Sequence, residues 1–338
     1  MRIILDAMGG DRAPEQIVRG AAAHSLEGES ILLLVGDEGS IRACLDTCRA
    51  DFSKIDILAT ECHVTMEDDP MAPLTSKRRS SMSVGLKLLA SEGDAFLSAG
   101  NTGALFTAAS VLVRNVEGVK RAAIATVIPF EKPILILDSG ANVNVLAEYF
   151  SEWAILGTVY ARHEFGVVSP RVGLLNNGVE SHKGDAVRAE AHKALSQLPG
   201  IVFAGNVESY DLPHSPCEVL LTDGFTGNVT LKLIEGLSVY FFSTMKHLMT
   251  ESVFTKVFST PLSGKIRELK RVFDPTEYGG APILGLKKPV FKAHGSSDAH
   301  AIDAAIRQSE IFVRGAVSEK IAEAAACLAP SGTETERI

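Results

Sequence analysis

Several short segments of this chain set glycines beside uncharged hydrogen-bond donors, the pattern from which anion-holding loops are built. They are Asp6-Ala7-Met8-Gly9-Gly10-Asp11, Ser98-Ala99-Gly100-Asn101-Thr102-Gly103, Asp138-Ser139-Gly140-Ala141-Asn142, Asn176-Asn177-Gly178, Asp223-Gly224-Phe225-Thr226-Gly227-Asn228 and His294-Gly295-Ser296-Ser297-Asp298. Each closes a short apolar run, so its backbone N–H groups fall where a helix begins. Unpaired donors and the helix macrodipole favour negative charge there. Phosphate is the ligand this chemistry suits. One such loop is as readily a plain tight turn, but a single anion site at one sheet edge explains all of them together.

The side chains sharpen this picture. Ser98, Asn101, Thr102, Asn177, Thr226 and Ser296 add donors, while Gly9, Gly10, Gly100, Gly103 and Gly227 allow close backbone approach. Lys183, before Gly184 and Asp185, is a cation at a helix start, which fits an anion site and equally a surface lysine. His294 suits acid/base work or a structural imidazole. Asp6, Asp11, Asp138 and Asp223 end strands or lie just beyond. No D-x-D cluster joins them, so solvated turn carboxylates are the commoner reading and no metal is expected. Cys44, Cys48, Cys62, Cys217 and Cys327 form no C-x-x-C pair, as suits a reducing compartment and buried thiols. The sequence contains no G-x-G-x-x-G, Walker lysine loop, G-x-S-x-G or H-E-x-x-H, which disfavours mononucleotide kinase, hydrolase and metalloprotease chemistry.

The elements that must position these residues are legible as apolar runs alternating with helical periodicity. The runs are 3–6, 31–36, 55–59, 95–99, 124–128, 134–138, 172–175, 201–205, 219–223 and 290–294. Val187, Ala191, Leu195 and Leu198 keep one helical face apolar. Asp185, Thr226 and Ser297 are placed to cap following helices. The alternation predicts an α/β fold, a three-layer arrangement around a parallel or mixed sheet. Residues 1–328 are expected to form one catalytic domain, and 329–338 a disordered tail. The mixed loop from 60 to 80 is expected to be a mobile flap. Residues 229–273 are rich in aromatic residues and methionine, and predict a protruding helical hairpin whose charges exclude a transmembrane span.

Composition narrows the function classes. With 338 residues, 46% hydrophobic and 22% charged, the chain can bury a large core. A net charge of −8 with no long basic run argues against nucleic acid. The N-terminal apolar stretch is too short for a signal peptide, so a cytoplasmic location is expected.

Four motifs carry a family resemblance: the Asp6–Asp11 segment, Ser98 to Leu105, Thr222 to Val229, and Lys292 to Asp298. In order and over nearly the whole chain, they resemble the PlsX phosphate acyltransferases. The resemblance implies transfer of a fatty acyl group from acyl-carrier protein to inorganic phosphate. The acyl phosphate would then feed a membrane glycerol-3-phosphate acyltransferase in phospholipid synthesis. It implies a homodimer without cofactor, loosely attached to the membrane, on a fold similar to isocitrate and isopropylmalate dehydrogenases and to phosphotransacetylases. Lys183 and Asn228 carry over to the active centre. Arg12, Ser139 and Asn144 depart from the usual His, Val and Asp.

Phosphate is already an anionic nucleophile, so direct attack on the thioester is expected. Lys183 and the 98–103 loop would hold phosphate, and Asn228 would donate to the oxyanion. An acidic carrier needs a basic patch, either Lys77-Arg78-Arg79 or Lys265, Arg267, Lys270 and Arg271. Val253, Phe254, Val257, Phe258 and Leu262 form the expected membrane or partner contact. A nicotinamide-dependent dehydrogenase of the same fold and a non-catalytic carrier-binding scaffold are the rival readings.

Overall fold

The structure, a computed structural model, describes residues 1–130, 132–251, 264–266 and 279–326. All ten expected runs form strands: β1 (Arg2–Asp6), β2 (Ile31–Gly36), β3 (Ile55–Ala59), β4 (Ala95–Ser98), β5 (Ala123–Ile128), β6 (Ile134–Leu137), β7 (Arg171–Asn176), β8 (Val202–Glu208), β9 (Val219–Leu221) and β11 (Val290–Lys292). An additional strand, β10 (Ala281–Leu284), escapes the sequence pattern because it is short and contains Pro282. The helices are α1 (Glu15–Glu27), α2 (Glu38–Leu45), α3 (Ser81–Ser91), α4 (Thr102–Leu112), α5 (Ala147–Phe165), α6 (Ala186–Gln197), α7 (Gly224–Thr250), α8 (Ala299–Arg314) and α9 (Val317–Ala326).

The strands form one sheet in the order β3-β2-β1-β4-β11-β10-β5-β6-β9-β7-β8. The first five are mutually parallel, as are the last four. Between them lie three successive antiparallel pairings, β11 with β10, β10 with β5, and β5 with β6. Three reversals leave the two parallel halves running in opposite directions. The glycine-rich loops therefore do not share one sheet edge, as the sequence suggested. Those after β1, β4 and β11 leave one end of the sheet, and those after β6, β7 and β9 leave the other.

Period-two side chains sort the core into layers. Ile3, Leu5, Leu32 and Leu34 pack with α1, α2, α5, α6, α8 and α9, while Ile4, Leu33 and Val35 pack with α3 and α4 on the opposite face. In the second half, Ile134, Ile136 and Leu220 form a third cluster, against which Leu231 and Ile234 of α7 lie. Helix α1 is tied to α8 by buried His24, whose Nδ1 is 2.9 Å from Asp303 Oδ1 and whose Nε2 is 3.2 Å from Glu310 Oε1.

Asp185 caps α6 as expected, accepting from the Arg188 N–H at 2.8 Å. Helices α7 and α8 are capped by Asp223 and Asp298 in place of the expected Thr226 and Ser297. An extended-backbone carboxylate three residues before the receiving amide has the right reach, and Thr226 supplies that amide to Asp223 at 2.8 Å. The 60–80 loop is held: Asp68 accepts from Lys77 at 2.6 Å, and the Asn101 amide donates to the Met66 carbonyl at 2.9 Å.

Helix α7 occupies the first part of the segment expected to form a hairpin, the rest of which lies largely outside the described residues, and its distal turns are exposed. Val253, Phe254, Val257, Phe258, Leu262, Arg267, Lys270, Arg271, Cys327 and the 329–338 tail lie outside the described residues. Among the described residues no helix is long and apolar enough to cross a membrane.

Candidate active site

Beneath the β1 and β4 loops lies a buried polar cluster. Ser98 Oγ donates to Asp6 Oδ2 at 2.7 Å and accepts from the Gly100 N–H at 3.0 Å. Burial pushes the Asp6 carboxyl above its ordinary range, against the hydrogen bonds it accepts. A side chain at Gly9 would place its Cβ 2.6 Å from Asp6 Oδ2 and 2.8 Å from both Gly100 N and Ser98 Oγ, so only glycine fits. Gly10, with φ +106°, also needs to be glycine, and the adjacent Asp11 N–H donates to the Gly295 carbonyl at 2.8 Å. This bond joins the β1 loop to the β11 loop. Asn101 caps α4, accepting from Ala104 N–H at 3.0 Å, and Gly103 sits beside Pro70. Asp6, Gly9, Ser98, Gly100 and Asn101 thus set the loops' shape.

In the second half, Asp138 accepts from the Gly140, Ala141 and Asn142 N–H groups at 2.6 to 3.2 Å. It shapes the loop on which α7 lands. A Cβ at Gly227 would run into the Asp138 carbonyl, and one at Gly224 would fall 2.7 Å from Asn142 N, which brings the start of α7 against that loop. Burial would raise the Asp223 carboxyl, but hydrogen bonds from Thr226 and the Arg188 guanidinium hold it below its ordinary range. Asn228, on the first turns of α7, faces Gly140. Asn177 and Lys183 stand on the loop after β7, where Asn176 Nδ2 donates to the Lys183 carbonyl at 3.0 Å. The Lys183 ammonium is 43% exposed and 4.0 Å from Glu180.

Helix α7 carries the second-half loop to the first. One turn beyond Asn228, Lys232 Nζ lies 3.2 Å from His294 Nε2 and 2.8 Å from Glu235 Oε2. His294 Nδ1 lies 2.8 Å from Ser296 Oγ, and the Ser296 backbone N–H points at it from 3.2 Å, so the tautomer follows from which of Lys232 and Ser296 the ring accepts from. A cavity of about 400 Å³ opens where the halves meet. Thr102, Asn228 and His294 line it, together with Asp11, Ser139, Lys232 and Lys292. Tyr160, Gln308, Ile124 and Val127 give it a less polar side. Lys183, Asn177 and the buried Asp6 cluster do not line it. A separate cavity of about 510 Å³ beside Val116, Lys287 and Glu319 receives none of the glycine loops.

Two lysines in the cavity were not singled out by sequence. Lys292 ends β11, and its Nζ donates to the Ala99 carbonyl at 3.3 Å and to the Ala293 carbonyl. Burial pulls its pKa down to about 8, against the attraction of Asp11. Lys292 showed in the sequence only as a charge closing an apolar strand and as the first residue of a family motif, and Lys232 as an interruption in an apolar helix. Burial and then the Lys232 charge hold the His294 imidazole below its usual value. Of the three departures from the family pattern, Ser139 faces the cavity, with its Oγ 2.7 Å from Thr126 Oγ1. Arg12 and Asn144 are exposed. Cys217 is buried, and its thiol is pushed up to about 12, which removes it as a nucleophile.

Comparison with known proteins agrees with this arrangement. A family model described as fatty acid synthesis protein matches residues 1–320. The phosphate acyltransferase of Bacillus subtilis (strain 168) is 40% identical over 327 residues, covering 96% of this chain and 97% of that protein. The phosphate acyltransferase of Geobacillus sp. (strain WCH70) is 41% identical over 332 residues, covering 96% and 98%. Among solved structures, a phosphotransacetylase from Streptococcus pyogenes superposes with a TM-score of 0.65 at 17% identity, covering 93% of this chain and 94% of that one. A 4-hydroxythreonine-4-phosphate dehydrogenase from Klebsiella pneumoniae does so at 0.55 and 14% identity, covering 93% and 99%. The dehydrogenase-like fold expected from the sequence is the fold these share.

Proposed function

Because the chain belongs to the fatty acid synthesis protein family, the PlsX phosphate acyltransferases, and is an acyltransferase, we propose that it transfers the acyl group of an acyl-carrier-protein thioester to inorganic phosphate. A phosphate oxygen attacks the carbonyl carbon, the C–S bond breaks, and the carrier thiolate departs and takes up a proton. The observation that carries this reading is the cavity, where Asn228 and the cations Lys232 and Lys292 face one space.

In this reading Asn228 donates to the oxyanion of the tetrahedral intermediate, and the neutral His294 imidazole takes the proton that phosphate gives up and passes it to the departing thiolate. Lys183, outside the cavity on an exposed loop, meets the anionic substrate on entry. No acyl-enzyme is needed, because phosphate is itself the nucleophile. The acyl phosphate then serves a membrane acyltransferase acting on glycerol 3-phosphate. A homodimer and peripheral membrane contact complete the proposal, and the exposed apolar turns of α7 support the dimer.

Phosphate-dependent appearance of free carrier thiol from an acylated carrier tests the reaction. A protein that binds the carrier but releases no thiol would be the scaffold instead. Asn228→Ala should lower turnover about a hundredfold or more with the fold intact. A near-normal rate would remove Asn228 from the oxyanion role.

A further inference from the structure

Resting on the acyl-transfer reading, we propose that Lys292, flanked by Lys232, is the seat of the phosphate substrate, in place of the exposed Lys183. Lys292 is a mostly buried ammonium at the cavity wall whose hydrogen-bond acceptors among the described residues are the backbone carbonyls of Ala99 and Ala293. Neither of these acceptors is an anion, so a desolvated cation is left facing the cavity. Burying a charge is costly, the attraction of Asp11 and Asp6 only partly offsets the cost here, and an anion bound at the ammonium would lower it further.

The surroundings fit a phosphate. Ala99, which holds the Lys292 ammonium, belongs to the loop that opens α4, and Thr102, the first residue of that helix, lines the same cavity. Lys232 closes the other side from α7, positioned by Glu235 and His294. The charged groups around Lys292 are Asp6 and Asp11 from the β1 segment, Lys232 and Glu235 from α7, and His294 from its own loop. Asp11 lines the cavity as an acceptor, suited to the P–OH that phosphate keeps at neutral pH.

A pH signature follows. Lys292 in the free protein loses its proton near pH 8, and bound phosphate favours the protonated form. Phosphate affinity is thus full below pH 8 and falls as pH rises through it. The KM for phosphate should climb toward about tenfold per pH unit above that point, while the KM for the acyl donor stays level. Lys292→Arg, which keeps its charge, should retain phosphate binding and lose this pH dependence.

The test measures steady-state kinetics in both substrates and, separately, binding of inorganic phosphate alone by calorimetry, for the parent, Lys292→Gln, Lys292→Arg and Lys183→Gln. Lys292→Gln is expected to raise the phosphate KM and weaken phosphate binding about tenfold or more, with the acyl-donor KM within about twofold. Unchanged phosphate binding in Lys292→Gln, or a larger loss in Lys183→Gln, would overturn the seat. A raised acyl-donor KM alone would mean that the site serves a phosphate group carried on the donor, and would also overturn it. Should Lys292→Gln fail to fold, the pH profile of Lys292→Arg decides, and a slope equal to the parent's sinks the idea. A parent that binds phosphate but transfers no acyl group would defeat the reaction and leave the seat standing.

Discussion

At the residue scale, the candidate site divides into groups that face the cavity and groups that shape the loops around it. Asp6, Gly9, Ser98 and Gly100 are of the second kind, locked together below the cavity. Gly9→Ala should therefore act on architecture: relieving contacts under 3 Å separates the β1 and β4 loops, at a cost of about 1–3 kcal/mol. Denaturant titration measures this, and an unchanged midpoint with full activity would show that the loops yield freely. The glycine was legible as a loop residue, but two of the atoms it must avoid, Ser98 Oγ and Gly100 N, belong to the end of β4 and the loop after it, far along the sequence. That separation hides the reason from any local reading.

At the element scale, α7 links two loop sets that the sheet itself keeps apart. Its start is fixed by Asp223, by the Arg188 ion pair, and by two glycines that let it sit against the β6 loop. Asp223→Ala removes the cap and leaves the half-buried Arg188 with Asp185 as its remaining carboxylate. About 1–3 kcal/mol of stability should be lost. Turnover should fall as well, because Asn228 and Lys232 ride on the displaced turn. Loss of stability without loss of turnover would show that α7 holds its place through Leu231 and Ile234 alone. A helix was legible here, but with its cap at Thr226, because a hydroxyl and a carboxylate three residues apart offer the same local signal.

At the scale of the whole molecule, α7 exposes an apolar surface that the other described residues do not cover. Leu237, Val239, Tyr240 and Phe241 are each more than half exposed, Val239 to 71% and Tyr240 to 70%. Burying such a patch against a second copy is the proposed use. Leu237→Glu with Tyr240→Glu should shift the mass seen by sedimentation equilibrium from dimer toward monomer. A parent that sediments as a monomer would refute the homodimer.

The sequence by itself determined the ten apolar strands, the alternation with helices, the glycine-rich loops as carriers of the chemistry, and the family. Each rests on local period or on an unbroken motif, and such signals survive without knowledge of neighbours. Only the tertiary structure decided that β10 reverses the sheet's direction, that the loops consequently leave opposite ends, and that α7 reunites them. It also moved the cationic centre of the cavity to Lys292 and Lys232. A lysine's burial and its choice of partners depend on elements distant in sequence, and residue type alone does not encode them.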